Sequence, residues 1–258
     1  MNSNYSWGLP VAASTIAKDI DFGIYLIHAA MIFIFVAWGI FFTYLLLRYR
    51  RREGVRAKVG HDNALMSLLP DFAVLVFEIG LIAFYAIPKW SHIKMSMPDP
   101  ASAHQVHIIA EQFAWDVQYP GKDRKFGKKD PALVNSSNPM GIDNADSAAA
   151  DDVVTVNELH LPLGKPTLVT LTSKDVIHSF FVPEFRIKQD ATPGMAIPVW
   201  FEPTMTGKFE LACAQLCGVG HATMRADVIV HTPEDYEKWL KGNAAAAPAP
   251  ASSAATDF

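Results

Sequence analysis

From Phe22 to Leu47 the chain carries no charged residue. About 20 apolar residues are enough to cross a bilayer as a helix, so this stretch forces a membrane span or a fully apolar core helix. A second stretch, Ala64 to Pro88, is apolar apart from Asp71 and Glu78. A buried core helix is the alternative reading of that second stretch; its pairing with the first favours a second span. The first stretch is a poor signal peptide. It is too long, it lacks a basic leader, and the basic residues follow it. Those residues form RYRRREGVRAK, Arg48 to Lys58, the most basic segment of the chain. The positive-inside rule assigns this loop to the cytoplasm and therefore puts both termini, and everything beyond the second span, on the outer face. Trp38, Tyr44, Tyr85 and Trp90 include candidate interface anchors.

The expected organisation follows from these marks: a short outer segment at 1–21, a span at 22–47, a basic loop at 48–63 and a second span at 64–91. A domain at 104–242 and a low-complexity Ala/Pro tail at 243–258 complete it. The outer domain reads as mostly β. HQVHIIAEQFAWDVQYPG (104–121) alternates like a strand, and strand signals recur at 153–162, 166–173, 177–183, 196–203, 207–213 and 224–231. Short strands broken by Gly and Pro at this spacing indicate a sandwich or small barrel. Between them, 122–152 is polar and reads as a surface insertion. TPEDYEKWLK (232–241) has a capping Thr, a Pro at the first helical position and acids in the first turn, which is a helix start. The fold class is thus a membrane-anchored all-β chain with a two-helix hairpin. A formal net charge of -4 gives no basic excess for nucleic acid; the expected surroundings are membrane lipids and protein.

The chemistry concentrates in CAQLCGVGHATM (213–224), which holds the only two cysteines. Outside the cytoplasm, paired thiols are oxidised or held by metal. A local disulfide leaves His221 and Met224 without a role. Zinc prefers four Cys/His ligands and no thioether. Thiolate, imidazole and a weak thioether together suit electron-transfer copper. A mononuclear blue site would use Cys217, His221 and Met224 with a second histidine from an earlier strand, and His178 in DVIHSFFVP fits. Cys213 would then be surplus. Two thiolates bridging two copper ions use both cysteines.

DVIHSFFVP, KQDATPG (188–194) and CAQLCGVGHATM together resemble subunit II of haem–copper respiratory oxidases, the subunit with a binuclear copper A centre. The resemblance covers about residues 20–242 and implies a cupredoxin-like Greek-key domain behind a transmembrane hairpin. It implies two copper ions bridged by Cys213 and Cys217. His178 and Met224 would complete one ion, His221 and the main-chain carbonyl of Gln215 the other. It further implies a translocase of a bacterial inner membrane, with oxidase subunits I and III as partners. Electrons from cytochrome c would pass to haem in subunit I, where oxygen becomes water and protons are pumped. The competing reading is a membrane-anchored mononuclear copper carrier or copper chaperone. A quinol oxidase subunit would lack the copper ligands; a nitrous oxide reductase would lack the hairpin.

Three departures from the family pattern stand out. Gln215 replaces a common Glu whose side chain helps hold magnesium at the contact with subunit I, and an amide is a poorer magnesium ligand than a carboxylate. Phe113 stands where the family has the first Trp of Trp-x-Trp, so Phe113 and Trp115 are the candidates for electron entry. The segment after Tyr119 begins KDRKFGKKD, where relatives are acidic. Complementary charge governs encounter rate, so the expected donor is not a strongly basic soluble cytochrome. It is a haem c domain of a neighbouring complex, as in bacteria that use alternative complex III. Within the second span, Glu78 and Asp71 are proton-path candidates, because intramembrane carboxyls are functional by default. Asn63 occupies the position where many relatives carry a Glu that opens a proton channel.

Overall fold

The computed structural model describes residues 8–56, 60 and 64–244. Asn63 and the Ala/Pro tail beyond residue 244 lie outside the described residues. Two compact units emerge, residues 19–96 and the remainder.

The helical unit is a hairpin. Helix α1 spans Ala17–Arg48, with Asp19 in its first turn and Arg48 in its last, each matching the helix dipole. Helix α2 (Ala64–Leu81) runs through a π-helical turn (Ile82–Ala86) into α3 (Ile87–Met95). Two windows in these helices are long and apolar enough to span a bilayer, and none of their residues is buried within the chain. A core helix of a soluble protein buries its apolar face; these expose theirs, so lipid or partner helices must cover them. The end of the hairpin at Asp19 is clasped. The Tyr85 hydroxyl donates to the Asp19 carbonyl, Lys89 Nζ lies 2.7 Å from Asp19 Oδ2, and the Phe22 and Tyr85 rings stand 5.6 Å apart. Gly23 permits this: a Cβ there would sit 2.8 Å from the Tyr85 ring.

The other unit is a β-sandwich of two five-stranded sheets. In chain order the strands are β1 (His104–Glu111), β2 (Ala114–Tyr119), β3 (Val153–Val156), β4 (Glu158–Pro162) and β5 (Thr167–Ser173). Then come β6 (His178–Val182), β7 (Ile187–Ala191), β8 (Ile197–Phe201), β9 (Gly207–Cys213) and β10 (Arg225–His231). One sheet has the order β3-β2-β1-β5-β8, the other β4-β10-β9-β6-β7. The core between them holds Ile108, Trp115, Leu159, Leu171, Phe180, Phe201 and Leu211, all fully buried. Strict alternation in β1 and β5 sends every second side chain inward. Helix α4 (Pro233–Ala244) closes the unit, with the Asp235 amide donating to the Thr232 hydroxyl as a cap.

Several sequence expectations need correcting. The run 104–121 is a hairpin: β1 and β2 pair antiparallel across a turn at Gln112 and Phe113. The run 153–162 is two strands in two sheets. Asn157 takes a left-handed conformation, φ 58°, between them. Its side-chain carbonyl accepts from the Trp115 amide at 2.9 Å and its own amide donates to the Trp115 carbonyl at 2.8 Å. A short polar side chain tolerates this conformation where a β-branched one does not. Replacing Asn157 with Val should therefore destabilise the sandwich by about 1–3 kcal/mol, read as a lower melting temperature, with Asn157→Gly milder. Strand β7 was not expected, because its middle residues are polar and only its ends are buried.

The insertion at 122–152 is tied to the sandwich. Phe126 stacks on His107 with centroids 3.6 Å apart, Met140 and Ile142 are buried, and Asp130 and Asp146 cap two short 3-10 turns. Asp152 Oδ2 accepts from Gln118 Nε2 at 2.6 Å and from the Gly127 amide at 2.8 Å. At the N-terminal side, residues 10–16 form a strap on the sandwich. The Ala13 amide donates to Glu184, the Thr15 amide to Glu202, and the Ser14 hydroxyl to the Phe185 carbonyl. Arg186 donates to the Pro10 carbonyl, and Ala13, Ser14 and Ile16 are buried.

Candidate metal centre

Three segments at one end of the second sheet bring the predicted ligands together. β6 begins with His178, β9 ends with Cys213, and the loop 214–224 folds back between β9 and β10. The fold-back is held by the Cys213 amide donating to the Met224 carbonyl at 3.1 Å and the Ala214 amide donating to Ser179 at 3.0 Å. A single 3-10 turn, His221–Thr223, sets the spacing from His221 to Met224.

The donor atoms converge. His178 Nδ1 is 3.1 Å from Met224 Sδ and 3.9 Å from Cys213 Sγ. Cys217 Sγ is 3.7 Å from His221 Nδ1 and 3.8 Å from Met224 Sδ. The Gln215 carbonyl lies 3.1 Å from Cys213 Sγ, while the Gln215 side chain is exposed. The two sulfurs are 3.9 Å apart, nearly twice the length of a disulfide bond. His178, Met224 and both cysteines are buried. Asp175 Oδ1 takes the other ring nitrogen of His178, Nε2, at 2.9 Å. That arrangement leaves Nδ1 aimed at the sulfurs, the usual way an outer carboxylate orients a ligand histidine.

The electrostatics favour a cation here. Burial, reinforced by the neighbouring Cys213, pushes the Cys217 thiol up to about 11. Two thiolates side by side in a buried site need positive charge to stay ionised. The soft donor set, two sulfurs from cysteine, two imidazoles, a thioether and a carbonyl, matches copper better than zinc.

The proposed electron-entry rings part company. Phe113, half-buried, rests on the ligand loop: a Cβ at Gly220 would come within 2.5 Å of its ring. Trp115 is fully buried and meets the His178 ring edge-on at 6.2 Å. Of the two rings, only Phe113 is partly exposed. Asp71 and Glu78 lie on α2 in the helical unit, seven residues apart and exposed within the chain. Two residues escaped the sequence reading. Asp175 sits inside the DVIH motif without an obvious role until the fold turns it onto His178. Gln112 has no sequence signal at all.

The family profile for "Cytochrome C oxidase subunit II, periplasmic domain" matches residues 104–231. "Alternative cytochrome c oxidase subunit 2" of Bradyrhizobium diazoefficiens is 39% identical over 212 residues, spanning 81% of this chain and 74% of that one. "Cytochrome c oxidase subunit 2" of Thermostichus vulcanus is 34% identical over 273 residues, 94% of this chain and 80% of that one. This chain belongs to the cytochrome c oxidase subunit II family. As a subunit II it is part of a haem–copper oxidoreductase assembly, anchored in a membrane by its apolar helices. The family binds copper, and the His178, Cys213 and Cys217 donor atoms of this member all lie within 4.8 Å of one another. Among solved structures, the periplasmic domain of subunit II from Bradyrhizobium japonicum is 28% identical, with a TM-score of 0.42, over 57% of this chain and 96% of that one.

Proposed function

We propose that this subunit II is the electron-entry point of its oxidase and that its centre is binuclear. The observation that carries this reading is the convergence of Cys213, Cys217, His178, Met224, His221 and the Gln215 carbonyl on one buried spot. Cys213 and Cys217 would be shared by the two ions, with His178 and Met224 completing one and His221 and the Gln215 carbonyl the other. Two copper ions held this way would supply uptake and release of one electron at a time. The chain's own residues keep the site dry and rigid: burial excludes water, and the strand ends β6 and β9 hold His178 and Cys213 in one sheet. The electron goes on to haem in subunit I, where oxygen reduction to water is coupled to proton pumping.

The donor is a cytochrome c, in the form of a haem domain of a neighbouring complex such as alternative complex III. Leu216 and Val219 in the ligand loop and Val176 and Ile177 beside it are exposed, which supports docking through apolar contact. Steering by charge falls with salt and apolar docking does not, so turnover with the native donor should change little with ionic strength. The subunit sits in a bacterial inner membrane with its β unit and both termini outside, beside subunits I and III. The exposed Gln215 amide makes a weak magnesium ligand at the subunit I contact.

Copper assay and EPR of the purified chain test the centre. One electron shared over two equivalent copper nuclei gives seven hyperfine lines. Four lines from one copper would replace this reading with a mononuclear carrier or chaperone. In the span, Glu78 and Asp71 serve the proton path; a Glu78→Gln oxidase with normal turnover and normal pumping would remove Glu78 from it.

A further inference from the structure

We infer that Gln112 is a positioning residue for the metal centre, holding Cys217 and His178 in one frame. The inference rests on the copper reading above. Gln112 lies in the turn between β1 and β2, which belongs to the first sheet, whereas the ligands hang from the second. Its side-chain Nε2 donates to the main-chain carbonyl of Cys217. Its backbone amide donates to Asp175 Oδ2 at 2.7 Å, and Asp175 Oδ1 holds His178 Nε2 at 2.9 Å. One residue thus reaches both ligand-bearing segments from across the sandwich.

The close approach is built into the loop's glycines. Gly218 has φ 145°, and a Cβ there would fall 2.8 Å from Gln112 Nε2 and 3.0 Å from the Phe113 ring. With Gly220 under the same ring, the Gly-Val-Gly segment lets the turn press directly on ligand-loop backbone. Cys213 and His178 are fixed by strand pairing, but Cys217 sits mid-loop. Its carbonyl is the point at which Gln112 sets the distance between the two sulfurs. A hydrogen bond beyond the ligands commonly changes metal affinity by about 10- to 100-fold.

The test uses the full chain in detergent with two variants. Gln112→Glu keeps the shape but loses the N–H donor; Gln112→Met keeps the length and loses all polarity. The wild type must first bind two coppers; failure there sinks the copper reading and leaves Gln112 aside as a separate result. With that met, both variants are expected to keep the copper-free melting temperature of the wild type and still take up two coppers. They should release copper to a chelator about 10- to 100-fold faster, with altered hyperfine splitting. Wild-type retention and splitting in both variants would overturn the inference. So would a copper loss that merely follows a lowered copper-free melting temperature, since that would make Gln112 an ordinary structural residue.

Discussion

A Cys217→Ser chain is expected to bind no more than one copper, lose the seven-line signal and slow donor oxidation in the assembled oxidase by on the order of 100-fold or more. Cys217 Sγ stands at the middle of the donor set, 3.9 Å from Cys213 Sγ, 3.7 Å from His221 Nδ1 and 3.8 Å from Met224 Sδ. Serine replaces a soft, readily ionised donor with a hard one whose proton is far less acidic, so it cannot bridge as a thiolate does. The fold should survive, because Cys217 lies in a loop and not in a strand. Met224→Leu is the informative contrast. A thioether is a weak ligand, so this variant should keep two coppers and alter their potential. Two coppers and normal oxidation in Cys217→Ser would mean that the sulfurs do not bridge.

Acid should unfold the sandwich through histidines that it keeps neutral. Burial first, then the nearby Lys165 and Arg124 charges, holds His104 down to about 3. Its ring packs edge-on against Tyr236 at 5.0 Å, and Tyr236 Oη lies 3.3 Å from its Nε2. Below about pH 6.5 the unfolded chain takes up a proton at this position that the folded chain refuses. Stability is therefore complete above that pH and falls as acid is added, by about 1.4 kcal/mol per pH unit towards the folded value. His107, lowered to about 4 by burial and Lys129, adds to the slope. Urea midpoints at pH 7, 6 and 5, followed by tryptophan emission, should fall steadily for the wild type. They should fall less for His104→Phe. Equal slopes in the two chains would show that His104 is not the group responsible.

The membrane helices and the ligand run were legible because each depends on short-range pattern. A run without charge from Phe22 to Leu47 has few options, and Cys213, Cys217, His221 and Met224 sit within one loop. What depended on distant partners was not legible. Asn157 looks like any strand residue until Trp115 is seen to claim both its side chain and its amide. β7 has a polar middle that only its pairing with β6 makes into a strand. Nothing in the sequence separates Trp115 from Phe113 as a candidate ring; the packing of Phe180 and His178 against Trp115 puts it inside. The insertion reads only as a polar surface segment, because polar residues dominate it. Its order comes from aspartates that close their own turns and from the Phe126–His107 stack.

The strap at residues 10–16 carries a consequence for biogenesis. Its acceptors are the carbonyls of Glu184, Phe185 and Glu202, which exist as a surface only after β8 has joined its sheet. The strap therefore docks only after the chain has been made through β8 and Glu202. By then the segment ahead of α1 must already share a compartment with the sandwich, so the two apolar helices must be inserted as a pair. An insertion fault that separates this flank from the sandwich by a bilayer would leave the carbonyls of Glu184, Phe185 and Glu202 without these donors.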